Sequence, residues 1–310
     1  MIELSVIIPL YNEQAILAEL CDRLTLSVMQ LTRNYELLFI NDGSSDSTFE
    51  KLKELSQKDE RVKFISFSRN FGHQIAVSAG LDHCKGQAVV IIDGDLQDPP
   101  ELIPTLYKKY KEGYEVVYAR RTRRKGETWF KLLTAKLFYR ILNRITSIDI
   151  PIDVGDFRII DRKVVEYLRQ MPEQHKFLRG QIAWLGFRQT FIDYERDSRM
   201  AGKTGYPLRK MVRFALDGIT AFSNSPLRMV TNLGLIISLF SLIVILYALY
   251  SHFILHQTIT GWTSLIISSM FIGGVQLLSI GIIGEYISRI NTDVRKRPLY
   301  IIDESNIDVH

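Results

Sequence analysis

Cysteine is nearly absent: Cys21 and Cys84 are the two in 310 residues. Two isolated thiols exclude a disulfide framework and a cysteine-ligated metal centre, and suit a reducing compartment. Glycine (19) and proline (9) are not enriched. No low-complexity tract or internal repeat is present, which excludes collagenous, solenoid and disordered classes. A net charge of +5 is modest, so the total says little about partners and no nucleic acid is expected among them. The opening residues, MIELSVIIPLYNE, carry no basic stretch and meet Glu13 early, which speaks against a secretion signal.

Charge is missing altogether from two stretches. Met229–Tyr250 and Thr263–Gly284 each run 22 residues without Asp, Glu, Lys or Arg. Each is long enough to cross about 30 Å of hydrocarbon as a helix. Arg209, Lys210, Arg213 and Arg228 precede the first, and Arg289, Arg295, Lys296 and Arg297 follow the second. The connecting SHFILHQTITGW has no Lys or Arg. Positive-inside bias then places both ends in the cytoplasm.

The first 120 residues alternate apolar runs with amphipathic ones. LSVIIPLY, YELLFIND, VKFISFS, QAVVIID and YEVVYARR read as strands. The segments between them read as helices, one started by a capping box at Ser47 and Glu50. This is an α/β pattern: a mostly parallel sheet with helices on both faces, its ligands bound beyond the carboxyl ends of the strands. Those ends carry the unusual residues: Pro9-Leu10-Tyr11-Asn12-Glu13, Asn41-Asp42 and Asp93-Gly94-Asp95. Asp93 and Asp95, on the turn after a buried strand, can share a hard divalent cation, with Gly94 allowing a tight turn. Asp98 starts DPPE, which reads as an N-cap followed by Pro. His73 is expected as a structural residue at a helix start. DVGDFRIIDR is expected as a loop carrying Asp153, Asp156 and Arg158, with a site role for Asp156.

Basic residues concentrate in three places. Arg120–Lys125 hold five in six positions, suited to a lipid phosphate and anionic headgroups. A helix at about 128–146 places Phe130, Leu137, Phe138, Ile141, Leu142 and Ile145 opposite Lys136, Arg140 and Arg144. Residues 206–228 repeat the pattern. Both suit a membrane surface. Arg199 and Lys203, in RMAGKTGY, can neutralise a diphosphate leaving group.

Taken together, VIIPLYNE, INDGSSDST, FSRNFGHQ, VIIDGDLQDPPE, DVGDFRIIDR and RMAGKTGYPLRKM resemble the inverting glycosyltransferases of family 2. More closely they resemble the membrane subgroup, of the GtrB type and related to dolichol-phosphate mannose synthase, that loads a sugar onto polyprenyl phosphate. The resemblance implies a GT-A (Rossmann-like) catalytic domain over 1–205. Beyond it come a juxtamembrane helix at 206–228, two transmembrane helices at 229–290 and a cytoplasmic tail at 291–310. It implies a nucleotide-sugar donor, with UDP-glucose first and GDP-mannose open. It also implies Mg²⁺ or Mn²⁺, a polyprenyl (undecaprenyl) phosphate acceptor, the inner membrane as location and a homo-oligomer, a tetramer.

By position, Pro9, Tyr11, Glu13, Asp42, Asp93, Asp95, Gln97 and Asp98 would border the nucleotide sugar. Asp95, with Asp93, would hold the metal. Asp156 would lie near the acceptor. Arg120 or Arg121, together with Lys131 and Arg158, would hold its phosphate; the sequence leaves both arginines open. Relatives commonly carry a Lys where this chain has Gly205, so Lys203 is the substitute. A catalytically inactive scaffold or transporter accessory subunit is the rival of another class, disfavoured because every acidic candidate is present.

Overall fold

The computed structural model describes residues 2–121, 154–195, 225–254 and 261–308. Both expected interfacial helices fall largely outside these residues.

Four apolar runs form the centre of one sheet: β1 (Leu4–Leu10), β2 (Tyr35–Asn41), β3 (Val62–Phe67) and β4 (Ala88–Ile91). β1, β2 and β4 are buried along their whole length, as parallel strands covered on both faces must be. β1 pairs in parallel with β2 and β4, and β2 with β3. Helices α1 (Leu17–Met29), α2 (Thr48–Lys58) and α4 (Ile103–Lys111) pack one face of the sheet. Helices α3 (His73–His83), α5 (Arg162–Arg169) and α6 (Leu178–Leu185) pack the other. In α1 the buried Leu17, Leu20, Leu24 and Val28 recur every three or four residues, and each contributes roughly 1.5–3 kcal/mol by leaving water.

Two local expectations are corrected. The first concerns the place between β4 and β5 (Val116–Arg121) in the sheet. Val154–Asp161, expected to be a loop, is strand β6, which inserts between β4 and β5 and runs antiparallel to both. Its charged Asp156 and Arg158 masked a strand whose Val154, Phe157, Ile159 and Ile160 are buried. Ser47 makes no side-chain cap at α2. Asp46 accepts from Thr48 N and Oγ1 instead, at 3.0 and 2.5 Å, a local turn that competes with the capping box.

Two further strands complete the order β7-β5-β6-β4-β1-β2-β3-β8, with β7 at Gln189–Tyr194 and β8 at Ile302–Ser305. Between β7 and β8 in sequence lie α7 (Ser225–Phe253) and α8 (Trp262–Arg295). Stretches of both are long and apolar enough to cross a bilayer: Ser225–Val244 and Ser268–Arg295 have mean hydropathies of 1.9 and 1.6, with none of that apolar surface buried in the protein.

After α8 the chain returns to the sheet. β8 pairs antiparallel with β3, and Asn306 clamps β3 through Phe64 N (2.7 Å) and Val62 O (3.0 Å). Tyr300 stacks on Phe67 at 5.1 Å and donates its hydroxyl to Asp82 at 3.0 Å. Tyr300→Ala should therefore destabilise the sheet domain by roughly 1–2 kcal/mol, less than a fully buried aromatic loses, since Tyr300 is half-buried. The check is the thermal unfolding midpoint of purified protein in detergent; an unchanged midpoint would show that the returning segment adds no stability.

Candidate active site

The parallel strands end along one edge of the sheet, and their loops enclose a cavity of about 960 Å³. The first two loops are stitched together. Asn12, in the left-handed region at φ 59°, accepts from Ser45 N at 2.8 Å and donates its own N–H to Ser44 Oγ at 3.0 Å. Glu13 N donates to Thr48 Oγ1 at 2.9 Å. Pro9, Tyr11 and Glu13 thus reach the cavity wall together, beside Asp42. Asp42 is buried, and its carboxylate accepts from Phe71 N at 2.7 Å and Gly72 N at 3.0 Å. It fixes the loop that leads into α3. Burial raises its pKa against the pull of those hydrogen bonds.

Asp93, Gly94 and Asp95 line the same cavity from the end of β4. Gly94 is there for closeness rather than for the turn: a Cβ would stand 2.5 Å from Leu10 Cδ2 and 2.9 Å from Pro9 O. The strained residue is Leu96, at φ 56°. A bulky side chain in that region costs about 1–3 kcal/mol. Here its burial in the core, worth about the same, offsets the cost. The acidic turn is thereby pinned in one shape. Asp95 Oδ1 accepts from Gln97 N at 3.1 Å, which is how Gln97 serves the loop; its side chain is not on the cavity wall.

Asp98 is neither a cap nor on the cavity wall. The short helical turn Pro100–Leu102 starts after Pro99. Asp98 is fully buried, 3.1 Å from Arg121 NH2, and also accepts from the Tyr194 hydroxyl. Successive β5 side chains point to opposite faces, and the two arginines divide accordingly. Arg121 turns inward to Asp98 and Tyr194. Arg120 turns outward and holds Asp193 with two bonds of 2.6 and 3.0 Å. Lys131, Arg199 and Lys203 lie outside the described residues.

The centre of the site is Asp156, at the start of β6. His73 Nε2 stands 3.0 Å from its Oδ2, and Gln74 Nε2 donates to the same oxygen at 3.2 Å. Arg158 NH2 donates to Oδ1 at 2.5 Å. Arg158, expected on the acceptor phosphate, is 1% exposed and faces the interior over the Tyr118 ring. It is a support for Asp156. Asp156 is half-buried, its side chain 15% exposed, and desolvation by itself would raise its pKa. The His73 hydrogen bond and the charges of Arg158, Arg179 and His73 outweigh that and hold the carboxyl well below the usual range. Desolvation at the cavity wall would likewise strip the proton from His73, but the Asp156 hydrogen bond and the charges of Asp93 and Asp156 raise its pKa to about 9. Burial, only partly offset by His73, pushes Asp93 up to about 6, with Asp156, Asp98 and Asp95 adding to the rise. At neutral pH the site therefore holds an anionic Asp156 and a protonated His73.

Ligand atoms of His73, Asp93 and Asp156 lie within 4.8 Å of one another. Electrostatics favours the Asp93 side for a cation, since Asp156 is already surrounded by Arg158, Arg179 and His73. Asp93 Oδ1 is shielded, lacks a hydrogen-bond partner among the described residues and is 3.5 Å from His73 Nε2. Asp93 and Asp95 offer the hard oxygen donors that Mg²⁺ or Mn²⁺ takes, so the residues present fit such an ion.

Motif reading missed His73 as a site residue, and missed Gln74 and Arg179 altogether. His73 and Gln74 had one available signal: they follow a strand that ends on the ligand edge of the sheet. Arg179 had none.

Residues 5–169 match the family Glycosyl transferase family 2, and residues 225–290 match the GtrB C-terminal hairpin. The uncharacterized glycosyltransferase YkcC of Bacillus subtilis (strain 168) is 51% identical over 304 residues, covering 98% of this chain and 94% of that protein. The bactoprenol glucosyl transferase of Shigella phage SfV is 39% identical over 302 residues, covering 97% and 98%. Among solved structures, mannosyl-3-phosphoglycerate synthase from Rubrobacter xylanophilus aligns over 71% of this chain and 72% of its own, at 17% identity and a TM-score of 0.49.

Proposed function

Since the chain belongs to glycosyl transferase family 2 and carries the GtrB C-terminal hairpin, we propose that it transfers a sugar from a nucleotide sugar to polyprenyl phosphate, with inversion, at the cytoplasmic face of the inner membrane. Glucose is the first candidate sugar, by the names of relatives such as the SfV bactoprenol glucosyl transferase, and UDP-glucose is the donor we propose for it. The observation that carries the reading is a junction. Asp293, near the end of the long apolar helix α8, accepts from Gln174 N at 3.0 Å, and Gln174 lines the cavity that holds Asp93, Asp95 and Asp156. The acidic site is thus attached directly to the membrane hairpin.

Topology supports the placement. β8 and the N-terminal strands share one sheet, so the segments on either side of the α7–α8 hairpin lie on one side of the membrane. The basic flanks of the hairpin assign that side to the cytoplasm.

In the reaction an acceptor phosphate oxygen attacks the anomeric carbon from the face opposite the leaving nucleoside diphosphate. The bond from that carbon to the diphosphate oxygen breaks, and the electron pair leaves with the diphosphate. A phosphate monoester has a second pKa near 6, so the nucleophile is already ionised at neutral pH. Asp156, its pKa depressed, is a poor base. Its fixed negative charge instead stabilises positive charge building on the sugar ring, and His73, Gln74 and Arg158 hold it in place. Asp95, with Asp93, would hold the divalent cation, which supplies neutralising charge to the departing diphosphate.

The test is transfer of radiolabel from UDP-glucose, GDP-mannose and other nucleotide sugars into undecaprenyl phosphate, in vesicles, with Mg²⁺, Mn²⁺ or EDTA. Metal-dependent label in the lipid is expected from one donor. No lipid label from any donor would sink the reading, and a catalytically inactive scaffold would take its place.

A further inference from the structure

We propose that Arg179 is the residue that receives a substrate phosphate in this cavity, an inference that rests on the reaction proposed above. The Lys and Arg side chains on the described cavity wall are Lys176 and Arg179. Lys176 donates to Met171 O at 2.6 Å, and burial lowers its pKa. Among the described residues, the arginines expected from sequence on a phosphate are engaged elsewhere: Arg120 on Asp193, Arg121 on Asp98 and Tyr194, Arg158 on Asp156.

Arg179 is placed differently. Its side chain is 17% exposed, and its Nε is shielded with no hydrogen-bond partner among the described residues. Its NH2 lies 3.7 Å from Asp156 Oδ1, beyond hydrogen-bond reach. Asp156 has no need of it, because Arg158 occupies Oδ1 while His73 and Gln74 occupy Oδ2. Arg179 therefore sits beside Asp156 on the cavity wall with its Nε unmatched and its NH2 held only by a 3.7 Å ion pair. A shielded, unmatched guanidinium N–H is costly unless an acceptor arrives. A phosphate fits best, since two of its oxygens match the planar fork of an arginine.

The fold holds the group ready. Arg179 lies in the first turn of α6, between Phe177 and Gly180, and the neighbouring Leu178 and Ile182 are buried in the core. Its backbone is fixed before any ligand binds, so little freedom is lost on binding. The phosphate could come from the donor's diphosphate or from the lipid acceptor, and the experiment separates the two.

Full-length wild-type, R179Q and R179K proteins in nanodiscs, with Mg²⁺ present, are titrated by calorimetry with two pairs of probes. One pair is UDP and uridine. The other is farnesyl phosphate and farnesol. We expect R179Q to weaken binding at least tenfold for the phosphate-bearing member of one pair, with its phosphate-free partner changed less than twofold. R179K, which keeps the charge but not the fork, should fall between R179Q and wild type. Loss confined to UDP assigns Arg179 to the donor; loss confined to farnesyl phosphate assigns it to the acceptor. Equal loss within each pair would reveal a structural role, and no loss in either pair would leave Arg179 without a ligand; either outcome overturns the proposal. These titrations need no turnover, so they read Arg179 separately from the transfer reaction.

Discussion

Asp156→Asn should slow sugar transfer by about 100-fold or more while nucleoside diphosphate affinity changes little. The variant keeps the shape of the side chain and loses its charge. A fixed charge aimed at a developing transition-state charge is worth about 10²–10³ in rate, and no other described carboxylate is held by His73, Gln74 and Arg158 together. Stability should fall as well. Arg158 is 1% exposed, and removing the partner of a buried charge costs about 3–5 kcal/mol; the amide that remains brings the loss toward the lower figure. The double variant Asp156→Asn/Arg158→Met separates the two effects, since it removes the stranded cation. It should regain most of the stability and none of the rate. The readouts are steady-state transfer, nucleotide titration and thermal unfolding. A single variant with near wild-type turnover would remove Asp156 from the mechanism, and a double variant that recovers activity would make its role purely structural.

Asp95→Asn should have a comparable effect on rate, about 100-fold or more, but by another route and with stability nearly unchanged. Asp95 is half-buried on the cavity wall, so the amide that replaces its carboxylate stays partly solvated. What should disappear is the metal dependence of nucleoside diphosphate binding: Mg²⁺ or Mn²⁺ should tighten UDP binding in the wild-type protein and have little effect in the variant. Titration of Mn²⁺ followed by electron paramagnetic resonance reads the same site without turnover. Retention of wild-type Mn²⁺ affinity, or of wild-type rate at limiting Mg²⁺, would move the ion away from Asp95. Asp93 offers a contrast. Burial and its acidic neighbours already push its pKa to about 6, so a bound cation would keep it ionised across the neutral range.

The expectations that held were those written in local sequence. β1 to β4 are mostly apolar runs, and just past three of them stand Tyr11, Asp42 and Asp93. The α7–α8 hairpin was legible for the same reason, since 22 residues without charge have few other places to go. The parallel sheet then follows from alternation alone, and with it the edge along which the cavity lies.

What stayed hidden depends on partners far away in the chain. His73 reads as the start of a helix until β6, 83 residues on, brings Asp156 to 3.0 Å from its ring. Asp98 reads as a cap until Arg121 and Tyr194 close over it. Arg158 reads as a loop cation for the acceptor phosphate until β6 slips between β4 and β5 and buries it. The last twenty residues read as a tail until β8 joins the edge of β3. Sequence determined which residues are apolar and where the carboxylates fall, because burial and turn preferences act within a few residues. Only tertiary structure decided which charge meets which, because strand order and register are long-range choices, and a carboxylate's partner, and hence its pKa and its chemistry, is set by whichever strand arrives beside it.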